Sequence, residues 1–231
     1  FSLMRSVIKP NDLFGHAKKL NQPAVAVTDT ATMFAAWDSL KASKKHGVKL
    51  IMGCEFFFTD NLEDEDSQLM HIVLIAKNYQ GYKNLLLAHK LANDNFIVKF
   101  NRTIPRIDWS ILESCSEGLI ATTASGNGIL SYFINTRRSK EAFERAKRLK
   151  DIFGENLALE IQPHAMRREA TPYNDYEDQT LVNHKLIKFG KELDIKVVAA
   201  CDSHYLKRED APAHDALLAI GSGMPSRVKS R

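Results

Sequence analysis

Apolar runs too short to be membrane helices alternate along this chain with stretches of helical periodicity, and that alternation constrains its fold more than any other feature. AVAVT (24–28), VKLIMGCEFFF (48–58), HIVLIA (71–76), GLIATT (118–123), LALEI (157–161) and IKVVAA (195–200) have the length and character of buried strands. Between them, NDLFGHAKKLN (11–21), ATMFAAWDSLKASKKHG (31–47), YQGYKNLLLAHKLAN (79–93), SKEAFERAKRLKDIFG (139–154) and DQTLVNHKLIKFGKELD (178–194) carry apolar residues at helical spacing. Ser139 stands where a helix N-cap is expected, and Gly47 and Gly154 where helices stop. Repeated alternation of strand and helix predicts parallel β-α units, an α/β fold with a central sheet covered by helices. A closed barrel and an open doubly wound sheet both fit. In either, functional groups gather where strands exit at their carboxyl ends.

A chain of 231 residues with 44% hydrophobic content can bury one core of barrel size. Its 32 basic and 28 acidic residues leave a net charge of +4, short of the concentrated basic stripe that by itself announces nucleic-acid binding. Cys54, Cys115 and Cys201 form no CxxC pair, which argues against a disulfide framework or a zinc ribbon and fits a reducing, cytoplasmic setting. No apolar run approaches the roughly 18 residues that cross a membrane, and FSLMRSVIKP lacks the layout of a signal peptide. No membrane partner is expected. The opening and the closing GSGMPSRVKSR read as those of a segment from a longer chain, one domain over 1–231 whose residues 206–231 lead toward the next. NLEDEDSQ (61–68) and AMRREATPYNDYED (165–178) read as exposed loops.

The groups at the strand ends carry the chemistry. The last strand runs into Asp202-Ser203-His204, and in extended chain residues two apart face one side, so Asp202 and His204 can converge. The first strand exits into Asp29 and Thr30, the second carries Glu55, the third begins at His71, the fourth reaches Ser125, and the fifth gives Glu160 and His164. Carboxylates and imidazoles from separate strands suit Zn²⁺, Mn²⁺ or Fe. Such ions bind phosphate, lower the pKa of a bound water and stabilise a leaving oxygen. Each residue also has an ordinary structural explanation. Asp29 stands where it could cap a helix, His71 could be a partly exposed edge residue, and Asp-Ser suits a turn. His16, His46, His89 and His184 lie in helical segments and read as surface or core-edge residues. Cys54 and Cys201 read as packing. Glu55, inside an apolar run, needs a cation or an Arg partner to offset its burial.

Four ordered blocks carry a family resemblance: PAVAVTDTATMFAAWDSLKASKKHGVKLIMGCEFFF (23–58), HIVLIAKNYQGYKNLLLAHKLA (71–92), IPRIDWSILESCSEGLIA (104–121) and VVAACDSHYLKREDAPAHDALLAIGSG (197–223). Together they resemble the PHP (polymerase and histidinol phosphatase) domain at the start of the bacterial DNA polymerase III alpha subunit. The resemblance implies a distorted seven-stranded (β/α) barrel, its first strand wholly or partly missing here, with a carboxyl-end cleft for up to three metal ions. It implies phosphoester hydrolysis in metal-binding members, including 3′–5′ exonuclease proofreading. Glu55, His71, Asp202 and His204 match metal-ligand positions, with Asp202 and Glu55 as the catalytic carboxylates of an active domain.

Three positions depart from the family pattern. An acidic or imidazole ligand is replaced by Arg5, the His of Thr-Asp-His by Thr30, and a Cys or His after the fourth strand by Ser125 or its neighbour Ala124. A His-x-His pair would precede Phe1. Hydroxyls are poor ligands for these metals and a guanidinium is none. Zn²⁺, Mn²⁺ or Mg²⁺ is therefore expected at partial or no occupancy, with Arg5 supplying cationic charge to Asp29, Glu55 or Asp202. Two functions follow: a structural or interaction module of a replicative polymerase, or an active metal-dependent phosphoesterase. The implied partners are the remaining domains of the polymerase, DNA and other replisome subunits. Polymerisation itself would reside elsewhere in the parent chain. The basic clusters KASKKHG, RAKRLK and MRR read as solvated helix faces and loops.

Overall fold

The computed structural model describes residues 5–99, 102–124, 126–162 and 179–222. Its elements are α1 (Pro10–Lys19), β1 (Ala24–Val27), α2 (Ala36–His46), β2 (Lys49–Phe58), β3 (Met70–Ala76), α3 (Tyr79–Asp94), β4 (Ile97–Lys99), β5 (Arg102–Ile104), β6 (Arg106–Ile107), α4 (Trp109–Cys115), β7 (Leu119–Thr122), α5 (Ser131–Asn135), α6 (Ser139–Phe153), β8 (Leu157–Ile161), α7 (Gln179–Leu193), β9 (Lys196–Ala199) and α8 (Ala211–Ser222). They form a mixed α/β fold divided into two compact units, Phe1–Gly53 with Ser203–Arg231, and Cys54–Asp202.

In the first unit β1 lies parallel to the opening residues of β2, from Ala24 beside Lys49 to Val27 beside Met52. Phe14 and Ala17 of α1, Val27, Ala35, Ala42 of α2 and Val48 form its buried core. Gly15 allows α1 close to α2, since a Cβ there would meet the His46 ring at 3.3 Å. Gly47 closes α2 in the left-handed conformation, φ 67°. The Ser6 hydroxyl and the Val7 amide both donate to the His204 carbonyl, at 3.0 and 3.1 Å, and tie the two chain segments of this unit together.

In the second unit the strand order is β2-β3-β7-β8-β9, with β6 beside β2. Alternation along β2 buries Cys54, Phe56 and Phe58 and sends Glu55 and Phe57 to the other face. The same period on β3 buries Met70, Ile72 and Leu74 and places His71 opposite them. Asn78 caps α3 by accepting from the Gly81 amide at 2.9 Å, and Asp108 caps α4 by accepting from the Ile111 amide at 3.0 Å. Arg106, on β6, is buried and donates to the carbonyls of Leu62, Asp64 and Asn95.

Several expectations need correction. The β-α units are not all parallel: β3 and β7 pair antiparallel, Val73 opposite Thr122, while β7–β8 and β8–β9 are parallel. Strand direction is not encoded in a strand's own apolar run. Here a long connection through α3, a β4–β5 hairpin, β6 and α4 separates β3 from β7. That hairpin escaped the sequence pattern because three-residue strands are too short to show a period. Ser139 is the first helical residue of α6, not its cap; Arg138 holds the cap position without a side-chain cap bond. Asp29 caps no helix, because α2 starts only after Ala35. Strand β9 is exposed along its length, although apolar.

The tightest packing is between α3 and the turn before β7. A Cβ on Gly81 would lie 1.8 Å from the Gly118 carbonyl oxygen, so backbone would have to move. Gly81→Ala is expected to destabilise the fold by about 3 kcal/mol, by urea denaturation. Gly47→Ala, which meets no atom within 4 Å, is expected to lose only about 1 kcal/mol from its left-handed backbone.

Candidate functional site

The second unit brings Glu55 and His71 together. The Glu55 Oε1 to His71 Nδ1 distance is 3.0 Å, with both side chains mostly buried. Phe57 packs edge-on against the imidazole, ring centres 4.9 Å apart. With the proton on Nδ1, the imidazole donates to the carboxylate and leaves Nε2 as its basic nitrogen. The antiparallel register explains why a residue at the start of a strand joins this site. Val73 lies opposite Thr122, the last residue of β7, so His71, two residues earlier, is carried past the carboxyl end of β7. There its amide donates to the Asn127 carbonyl and its carbonyl accepts from Ile129, both at 2.9 Å.

Glu160, near the carboxyl end of β8, is buried. The Thr122 hydroxyl donates to its Oε2 at 2.6 Å, and its own amide donates to the Thr123 hydroxyl at 2.9 Å. Burial pushes the Glu160 carboxyl above the usual carboxylate range, and the charges of Asp202 and Glu55 push the same way; Thr122 and Gln162 oppose them. Glu160 is thus within electrostatic reach of both Asp202 and Glu55. Sequence reasoning placed Glu160 at a strand end without counting it among the ligands. Its signal was the one that marked Glu55, a carboxylate inside an apolar run.

In the first unit, the guanidinium of Arg5 donates to the Thr30 hydroxyl, Nη1 to Oγ1 at 3.3 Å. Two residues expected to depart from the family's ligand pattern are therefore bonded to each other. Asp29 beside them is buried. The His204 ring stacks on that of His214, centroids 5.2 Å apart and 12° from parallel, and His214 Nε2 lies 2.9 Å from the Arg5 carbonyl oxygen. Asp202 and His204 do not extend from β9 as an unbroken strand. The strand ends at Ala199, and Asp202 has φ 43°, so the two-residue alternation of extended chain does not operate there. Cys54 is buried as expected, whereas Cys201 is exposed. His16, His46, His89 and His184 all lie on helices. Ser125, His164 and the expected loop 165–178 lie outside the described residues.

Among the described residues, Asn21, Ala31, Ala124, Arg137, Asp194 and Asp202 have left-handed backbone, and three of these six are at or next to candidate positions. Ala31 follows Thr30, Ala124 precedes Ser125, and Asp202 is itself a candidate ligand; their φ values are 54°, 56° and 43°. For Ala this conformation costs about 1–2 kcal/mol, and such strain clusters at sites where side chains must be aimed.

Among the described residues, no group of three or more His, Cys, Asp and Glu side chains is arranged to hold a metal ion. What the second unit offers is a carboxylate–imidazole pair able to move a proton and an acid whose burial favours its neutral form.

The PHP domain model matches residues 1–164. The chain belongs to the PHP domain family. The DNA polymerase III subunit alpha of Borreliella burgdorferi is 36% identical to it over 237 residues, spanning 100% of this chain and 19% of that protein. That of Aquifex aeolicus is 36% identical over 234 residues, 95% of this chain and 19% of that protein. That of Helicobacter pylori is 30% identical over 244 residues, 100% of this chain and 19% of that protein. This PHP domain chain thus spans about a fifth of the length of these curated relatives. A solved structure from Bifidobacterium adolescentis, provisionally described as a metal-dependent phosphoesterase, is 16% identical with a TM-score of 0.48, covering 88% of this chain and 85% of that one. Among the described residues, no helix is long and apolar enough to cross a membrane.

Glu160 yields a prediction with a definite sign. Folding raises its pKa, so its stabilising contribution is complete below the unfolded carboxyl value of about 4.3 and is lost as pH rises through the folded value. Gln keeps an acceptor for Thr122 and carries no charge. Glu160→Gln is expected to raise Tm above that of the parent at pH 7, with the gain vanishing near pH 4, by calorimetry across that range.

Proposed function

We propose that this PHP domain acts in DNA replication as a structural and interaction module of a bacterial replicative polymerase alpha subunit, with a degenerate metal site. It adopts the seven-stranded (β/α) barrel of its family, and its partners are the remaining domains of the polymerase chain, DNA and other replisome subunits. The observation that carries this reading is the hydrogen bond between Arg5 and Thr30. A permanently charged guanidinium holds a hydroxyl where two ligands of the family pattern would stand, and neither group competes for Zn²⁺, Mn²⁺ or Mg²⁺. Arg5 supplies fixed positive charge in place of an ion, and His204 is engaged with His214. Nucleotidyl transfer belongs to another part of the parent chain.

The Glu55–His71 contact favours a second reading, phosphoester hydrolysis as a 3′–5′ exonuclease. An imidazole oriented by a carboxylate can take a proton from an attacking water. The readings part on metal content and nuclease activity. After exhaustive dialysis, elemental analysis is expected to find less than one ion per chain, and 3′-labelled single-stranded DNA is expected to survive incubation with Mn²⁺ or Zn²⁺. Two or more tightly held ions, or degradation abolished by Asp202→Asn, would establish the exonuclease instead. Restoring ligands at the altered positions, Arg5→Asp with Thr30→His, is expected to raise the retained metal measurably above that of the parent.

A further inference from the structure

The second unit does not carry the chain's positive charge. Residues 1–53 hold eight Lys and Arg against three Asp and Glu, whereas residues 54–202 hold nineteen against twenty-two. Within the basic segment, α2 buries Ser39 and Ala42, so helical spacing turns Trp37, Leu40, Lys41 and Lys44 to the opposite side. Trp37 is 67% exposed, and Phe34, in the turn one step before the helix, is 90% exposed. Lys41 sits with its ammonium 5.9 Å from the Trp37 ring centre, braced by Asp38 at 2.6 Å. The result is an outward stripe of two aromatic rings followed by two cations.

We propose that the stripe Phe34, Trp37, Lys41 and Lys44 is a stacking platform for a single nucleic-acid strand. A lysine run alone is a solvated helix face, and what changes the reading is the pair of unsheltered rings set in line with it. Bases need only a flat face on which to stack, while lysines track the phosphates. An acidic peptide would match the charge equally well. Its apolar anchors, however, need walls to desolvate them, and at 90% exposure Phe34 provides none. The platform rests on the replicative reading only for the preference of DNA over RNA.

The test is binding of fluorescein-labelled oligo(dT) and oligo(rU) to the full chain at low salt, with a chelator present so that no hydrolysis intervenes. Phe34→Ala and Trp37→Ala are each expected to weaken binding about tenfold, leaving the dependence of log K on log salt unchanged. Lys41→Gln with Lys44→Gln is expected to flatten that dependence by about 1.4. The fluorescence of exposed Trp37 should be quenched on binding, and that of Trp109, 8% exposed, should not. Unchanged far-UV circular dichroism excludes misfolding at these surface positions. Full affinity in the aromatic variants, a preference for duplex, or a loss confined to a protein subunit of the replication complex would each overturn the platform. Binding of oligo(rU) in preference to oligo(dT) would uphold the platform and count against the replicative reading. Metal retention is measured without nucleic acid and binding is measured in chelator, so the two proposals fail separately.

Discussion

The second unit is organised around a buried cation that has carbonyl oxygens as its nearest partners. Arg106 lies on β6 directly beside Phe57 of β2, and its guanidinium gathers the carbonyls of Leu62, Asp64 and Asn95. Burial works against its charge, while the nearby Glu65 and Asp64 sustain it. The cost of desolvating an arginine is offset only if its donors are used. Here they draw the exit of β2, the acidic loop and the end of α3 to one point. Glu55 and Phe57 precede that point on β2, so the direction of the Glu55 side chain depends on how firmly the strand is clamped. Trp109, which donates to Asp60 at 3.0 Å and is flanked by Arg145 and Arg148, locks the same corner from the other side.

Much of this was legible in the order of residues, for reasons that differ by element. Strands β2, β3 and β8 announced themselves as mainly apolar runs, and α1, α2, α3, α6 and α7 because their apolar residues recur at helical spacing, whereas α4, α5 and α8 were not foreseen. Glu55 was legible as a carboxylate that could not stay unpartnered in such a run, and His71 is the partner the structure supplies. What was not legible is long-range. The antiparallel turn of β3 against β7, which carries His71 to the carboxyl end of its neighbour, follows from a connection and not from the strand. The role of Glu160 depends on Thr122 at the end of β7, on Thr123 just after it and on the charges of Asp202 and Glu55, none of them close in sequence. The left-handed turn at Asp202 was hidden because Asp is compatible with both extended and left-handed backbone.

Ala31, Ala124 and Asp202 hold strained backbone, a shape that serves to aim the residues beside them. Beside Ala31, the Thr30 hydroxyl accepts from the guanidinium of Arg5; Asp202 itself acts on the buried Glu160 through its charge. These turns are also the connections through which a strand passes to the next element, so their backbone is fixed by the fold as well as by the groups they carry.

Strand β9 has a consequence for how such a domain behaves in solution. It is apolar yet open, with Val197 and Val198 more than a third exposed, and among the described residues its ladder partner is β8 alone. A strand in that state is a template on which a foreign strand can lay down its own hydrogen bonds. Left uncovered at high concentration, the domain would tend to assemble through this edge into intermolecular sheet, visible as concentration-dependent light scattering. A lysine in place of Val198 would make the edge a poorer template.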